Sequence, residues 1–254
     1  GPLPLVLSVA RGTMALMTVN LIQAEGDADG RVAELAQQIA ERLGCEPDLD
    51  DFLAWTAGTL EYWIHIVASS VAARRGWASR TEVPYVTAAP NPGTKSNIKW
   101  ADGAMLLDDL GVLLEVKTIA AREHVVGPTL RKVPQDFAAL AALDWTATVG
   151  QVPDQYSGTV WADRRAAMGR VALLQLALIH APQGQLPLGD TVPTTVRMAA
   201  TGVCRRLREQ GLTGAADLVD RTFAGEPAKW RLSGTSHEGH LYAWSAQGLV
   251  KAAD

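Results

Sequence analysis

The sequence predicts an α/β domain, a mixed central sheet flanked by helices, and three observations carry that prediction. Lys99 to Thr118 reads as two apolar strands around an Asp-Asp-Leu-Gly turn. Arg31 to Leu43 and Thr59 to Arg75 place apolar residues at helical spacing. Arg170 to His180 is almost wholly apolar between Gly169 and Ala181-Pro182, which favours a buried central strand. The 254 residues, 48% of them apolar, supply the material for a packed core.

The elements follow in chain order. Residues 1–13 are set aside as a non-native or disordered leader, and 14–254 are expected to form one domain, its core about 59–182 and a C-terminal elaboration 183–254. Met14 to Ala24 is apolar enough for a short strand or a packed arm. In the first helix Val32, Leu35, Ile39 and Leu43 share one side, and Gly44 is a natural stop. Asp48, Asp50 and Asp51 offer a cap for a second helix, which breaks near Gly58 and restarts at Thr59. Gly76 ends that segment. Arg80 to Val86 alternates like a strand, with Pro84 marking an edge or a bulge. Ala88 to Ser96 is a loop, and so is the basic stretch Ala120 to Val133, marked by Gly127-Pro128. Pro134 opens a helix reaching about Asp144. Thr146 to Gly158 reads as loop and Val160 to Met168 as helix. Helices follow at Thr194 to Gln210 and Thr213 to Ala224. Trp230 to Val250 is strand-like, with Gly234 and Gly239 as turn marks.

Charge and composition narrow the functions. A net charge of −4 argues against a dedicated nucleic-acid coat protein but leaves room for an enzyme with a local basic groove. Cys45 and Cys204 lie far apart and outside any metal-ligand spacing, as expected of reduced thiols in a cytoplasmic protein. No apolar run reaches the ~18 residues of a membrane span. The apolar stretch Leu3 to Ala10 lacks a basic start and is broken by Arg11, which argues against a signal peptide.

The hairpin carries the chemistry. Glu115 and Lys117 share a face with Leu113, while Leu114 and Val116 point the other way. If Leu107 pairs with Val112, Asp102 falls opposite Lys117 and one diagonal step from Glu115. Two close carboxylates repel unless a cation lies between them. Few hard oxygen ligands, with room for water and phosphate, suit Mg²⁺, with the Val116 carbonyl as a third ligand. Lys117 beside them would orient or deprotonate water, or stabilise developing charge. The chemistry expected is phosphodiester hydrolysis.

Glu61 in Thr59-Leu60-Glu61-Tyr62-Trp63, Asp102 in Trp100-Ala101-Asp102-Gly103, and Glu115-Val116-Lys117 together resemble the PD-(D/E)XK nuclease superfamily. The resemblance covers about Thr59 to Asp144, with Ala101 where the motif has Pro. It implies a restriction-endonuclease-like fold, to which the sequence pattern outside the resemblance adds further helices and a β-rich C-terminal segment. It also implies that Asp102 and Glu115 hold Mg²⁺ (Mn²⁺ as a substitute), that Lys117 assists the attacking water, and that Glu61 is an accessory helix carboxylate. DNA is the substrate it implies, in a restriction, phage-defence or repair role. Cutting both strands of a duplex commonly calls for two sites, so a homodimer is a further expectation.

Other features weigh less. Lys95, Lys99, Arg122, Arg131 and Lys132 bracket the hairpin as a nucleic-acid-binding rim, although loops are charged in any case. Arg205, Arg206 and Arg208 fit a groove contact or a dipole-stabilised helix end equally well. His237 and His240 lack the rest of a tetrahedral metal set. Trp63, Trp77 and Trp100 are expected in the core rather than as base-stacking platforms. The rival readings are a catalytically silent nucleic-acid- or protein-binding relative of the fold, and a metal-free interaction module suggested by the acidic charge.

Overall fold

The computed structural model describes residues 22–23, 28–54, 57–88, 98–107, 110–121, 126–144, 147–148, 170–186 and 191–250. Its seven strands form one mixed sheet. Six lie on a single path, β1 (Ile22–Gln23), β7 (His237–Val250), β5 (Arg170–Pro182), β4 (Leu110–Ala120), β3 (Ile98–Leu107) and β2 (Ala78–Val86), and β6 (Ala228–Ser233) pairs with β7. Among the described residues only the β4–β5 pair is parallel.

Helices α1 (Ala28–Gly44), α2 (Leu49–Ala54) and α3 (Ala57–Arg74) cover one face of the sheet. Helices α5 (Val133–Ala141), α6 (Thr191–Glu209) and α7 (Thr213–Ala224) cover the other. The expected helical stripe of α1 is the buried one, with Val32, Leu35, Ile39 and Leu43 all at 1% exposure or less. β5 is buried on both faces from Val171 to Ala181, so the near-continuous apolar run is a central strand. The C-terminal stretch joins the same sheet, because β7 pairs with β5 from Arg170 to Pro182.

Several local expectations are corrected. Val126–Leu130 is a short helix, α4, inside the stretch expected as loop; a proline in a first turn lacks only an N–H that has no intrahelical partner there. The helix expected to reach Asp144 ends at Ala141. Gly58 lies within α3, which begins two residues before the expected restart at Thr59. Gly239 is no turn but a β7 residue facing His180, where a Cβ would come within 3.0 Å of Leu178 Cδ1 and 3.3 Å of the Ile179 carbonyl. The expected helix at Val160 to Met168 lies outside the described residues, as does most of the loop from Thr146 to Gly158.

Asp50 does something other than cap its own helix. Its carboxylate reaches the β6–β7 turn and accepts hydrogen bonds from the N–H groups of Thr235 (2.6 Å), Ser236 (2.9 Å) and His237 (2.9 Å), and from the Thr235 hydroxyl. The Thr235 hydroxyl and these N–H groups hold it well below the ordinary carboxylate range. Its stabilising contribution is therefore present above that range and lost as pH falls. Asp50→Ala is expected to lower the melting temperature at neutral pH and to speed amide exchange at Thr235, Ser236 and His237. Unchanged exchange at those amides would exclude the anchoring role.

Candidate active site

The β3–β4 ladder fixes the site. Its register runs from Leu107↔Leu110 to Gly103↔Leu114, leaving only Asp108 and Asp109 between the strands. The turn is tighter than the expected Leu107–Val112 pairing, and the register shifts by two residues. Continued past Gly103, it sets Asp102 against Glu115 rather than Lys117. A two-residue shift keeps every side chain on its face, so Glu115 and Lys117 still share the side of Leu113 and Ile119. Val112, Leu114 and Val116 pack into the opposite layer.

Beyond Gly103 the ladder stops, while β4 stays paired with β5 through Ala120. The two strands fork, and the freed edge of β4 needs acceptors for its N–H groups. Side-chain carboxylates provide them. Asp102 Oδ2 accepts from the Val116 N–H at 2.6 Å, and Glu61 Oε1 accepts from the Thr118 N–H at 3.0 Å. A strand residue presents its N–H and C=O on the same edge, so the Val116 carbonyl faces the fork as well. The distortion continues across β3: the β2–β3 register skips the Glu82–Asp102 pair alone, and Glu82 adopts φ 50°. Non-glycine residues rarely take that conformation, and it recurs where a strand is bent to aim a side chain.

The fork gathers acidic groups around one ammonium. Lys117 Nζ lies 3.1 Å from Asp136 Oδ2, on the first turn of α5, and 4.0 Å from Glu61 Oε1 on α3. It thus links the helix layers on the two faces of the sheet. Burial pushes the Lys117 pKa down, but Asp136 and Glu61 outweigh burial and raise it, so the amine is protonated at neutral pH. Burial, partly offset by the Thr118 N–H and by Lys117, leaves Glu61 raised. Burial would also raise Asp102, but His65 and the Val116 N–H hold it below its ordinary value.

Glu115 is the outlier. Only 9% exposed, it is pushed up to about 10 by burial and by the neighbouring carboxylates Asp102 and Asp136. Without a cation Glu115 therefore carries a proton at neutral pH and shares it with ionised Asp102, the usual outcome for two crowded carboxylates.

Two of the four buried side-chain polar atoms that lack a hydrogen-bond partner among the described residues flank this pair. Gln175 sits beside Glu115 on β5, donates from Nε2 to the Glu115 carbonyl at 3.3 Å, and leaves Oε1 unpaired. His65 Nε2 lies 3.8 Å from Asp102 Oδ2, outside hydrogen-bond range. Buried unpaired polar atoms are costly, and here they border the carboxyl pair.

Glu115, Lys117 and Asp136 open into a groove of about 390 Å³, lined also by Tyr85, Ile98, Lys99 and Trp100. Asp102, Glu115, Lys117 and Glu61 are thus brought together. Of the expected basic rim, Lys99 lines the groove. Arg131 and Lys132 stand exposed between α4 and α5, with Lys132 one helical turn before Asp136. Lys95 and Arg122 lie outside the described residues. Asp136 is the site residue that sequence reasoning missed; an acidic group in a first helical turn reads as dipole complement.

Among the described residues no ligand set gathers around His237 and His240. Glu238 between them instead accepts from the Gly184 N–H at 2.7 Å and from Arg231 at 2.9 Å. Among the described residues no three His, Cys, Asp or Glu side chains cluster as a ready ligand set, and no helix is long and apolar enough to cross a membrane. No family model matches this chain, and no curated protein or solved structure matches it either.

Proposed function

We propose that this chain is a Mg²⁺-dependent nuclease of the restriction-endonuclease-like fold, and that DNA is its substrate. The observation that carries this reading is the fork itself, where Asp102 accepts from the Val116 N–H at 2.6 Å, Glu61 from the Thr118 N–H at 3.0 Å, and Glu115 and Lys117 line one groove. The donor set suits Mg²⁺, which commonly takes only one or two carboxylates and fills its remaining positions with water and phosphate oxygens. Asp102, Glu115 and the Val116 carbonyl would hold it.

When bound, Mg²⁺ supplies an activated water and neutralises charge on the phosphoryl oxygens. The chain's own residues do the rest. Lys117, kept protonated by Asp136 and Glu61, holds the nucleophilic water or a phosphoryl oxygen by hydrogen bonding and does not take a proton itself. Glu61 and Asp136 fix that amine from two sides. The water oxygen gives up a proton to solvent as it forms the new bond to phosphorus, the bridging P–O bond breaks, and the leaving oxygen takes a proton from solvent, so the products are a phosphate end and a hydroxyl end.

A second reading, a catalytically silent binding relative, is favoured by one observation. Asp102 and Glu61 already have structural work, closing the Val116 and Thr118 N–H groups at the fork. Incubating supercoiled plasmid and linear DNA with the protein separates the two readings. Cleavage with Mg²⁺ or Mn²⁺ and none with EDTA is expected of the nuclease. Intact DNA and RNA under every divalent metal would leave the binding relative.

A further inference from the structure

The large apolar side chains that stand exposed among the described residues are Tyr62, Ile66, Trp100 and Met198, and the first three are chain neighbours of the site. Tyr62 follows Glu61, Ile66 follows His65, and Trp100 precedes Asp102 by two residues. Of the tryptophans expected in the core, Trp63 is buried, whereas Trp100 is 48% exposed on the wall of the groove that holds Glu115 and Lys117. A half-exposed indole forgoes part of its burial gain, and the exposed part, on the wall of a polar groove, is suited to a flat partner.

The charge of that groove limits the partner. Among the described residues that line it, the cations are Lys99 and Lys117, and Lys117 is already engaged by Asp136. Duplex binding relies on many phosphate contacts from Lys and Arg. Unpaired strands are instead held largely by stacking of bases on aromatic side chains. We propose that Trp100 is a stacking platform for an unpaired nucleobase, so that the groove takes single-stranded nucleic acid or a frayed end in preference to a closed duplex. Trp100 and Asp102 are two residues apart on β3, about 7 Å along the strand. The stacked base therefore belongs to a nucleotide next to the phosphate at the carboxylates. This substrate class rests on the nuclease reading of the same groove.

The test measures fluorescence anisotropy of three labelled probes, an oligothymidylate, an oligouridylate and a closed hairpin duplex, with the full chain in Ca²⁺. The wild type is expected to bind a single strand more tightly than the hairpin, and the two single-strand probes show which sugar is preferred. Trp100→Ala is expected to weaken single-strand binding roughly 5- to 100-fold, with hairpin binding unchanged and Trp100→Phe retaining most of the affinity. Equal affinity for hairpin and single strand, or Trp100→Ala binding like the wild type, would overturn the proposal. Failure to bind any probe would also overturn it and leave the patch to a protein partner. The two readings fail separately. Single-strand binding that depends on Trp100, with no cleavage under any metal, removes the nuclease and keeps the platform. Cleavage with single-strand binding indifferent to Trp100 does the reverse.

Discussion

Lys117→Ala and Asp102→Ala are each expected to lower Mg²⁺-dependent cleavage by about 10²–10⁴-fold, the range for losing one positioned charge or proton-handling group. The two losses should not multiply in the double variant, because the residues serve one transition state. Lys117→Ala removes the cation that Asp136 (3.1 Å) and Glu61 (4.0 Å) share, so it also leaves a cluster of carboxylates uncompensated. The melting temperature therefore has to be measured beside the rate. Single-turnover assays on a labelled duplex and on a single strand provide the check. Cleavage surviving both substitutions would remove these residues from the chemistry.

The second large effect concerns Glu115 and stability without metal. Its folded-state pKa of about 10 lies far above the ordinary 4.5. Between those values the folded chain keeps a proton that the unfolded chain has released. Stability from this group is thus fully present below 4.5 and is lost as pH rises toward 10, by up to about 1.4 kcal/mol per pH unit. Burial lowers His180 and His240, which works in the opposite direction around 6.5. That contribution is common to wild type and Glu115→Gln, so their difference isolates Glu115. In EDTA, Glu115→Gln is expected to be the more stable protein at pH 8, with the gap closing toward pH 5. Thermal melts across that range test it. Parallel curves would show that Glu115 is ionised in the folded state and that no proton is shared.

Much of this site was legible because strand alternation is local. Leu113, Glu115 and Lys117 fall on one face from their spacing alone, and a two-residue error in register leaves that face unchanged. The register itself was not legible, since it depends on whether Asp108 and Asp109 suffice to turn the chain. Glu61 was accessible through the resemblance, but its bond to the Thr118 N–H arises from the fork, a feature of three strands together. Asp136 had no signal: nothing in Val133-Pro134-Gln135-Asp136 says that this helix start meets a lysine from the hairpin. Trp100 was misread because its apolar neighbours suggest core, whereas β3 there pairs only with the edge strand β2 and faces the open groove. α4 was hidden by Gly127 and Pro128, both usual marks of a loop.

If Glu115 holds a proton beside ionised Asp102, metal binding there should expel it. Isothermal titration calorimetry with Mg²⁺ or Mn²⁺ at pH 8, repeated in buffers of different ionisation enthalpy, counts the protons released. About one proton per bound metal is expected for the wild type, because a cation held by Asp102 and Glu115 would displace the proton. Glu115→Gln should bind more weakly and release none. Binding without proton release, release unchanged by Glu115→Gln, or no saturable binding at all would contradict the assignment of this pair as the metal site of a nuclease.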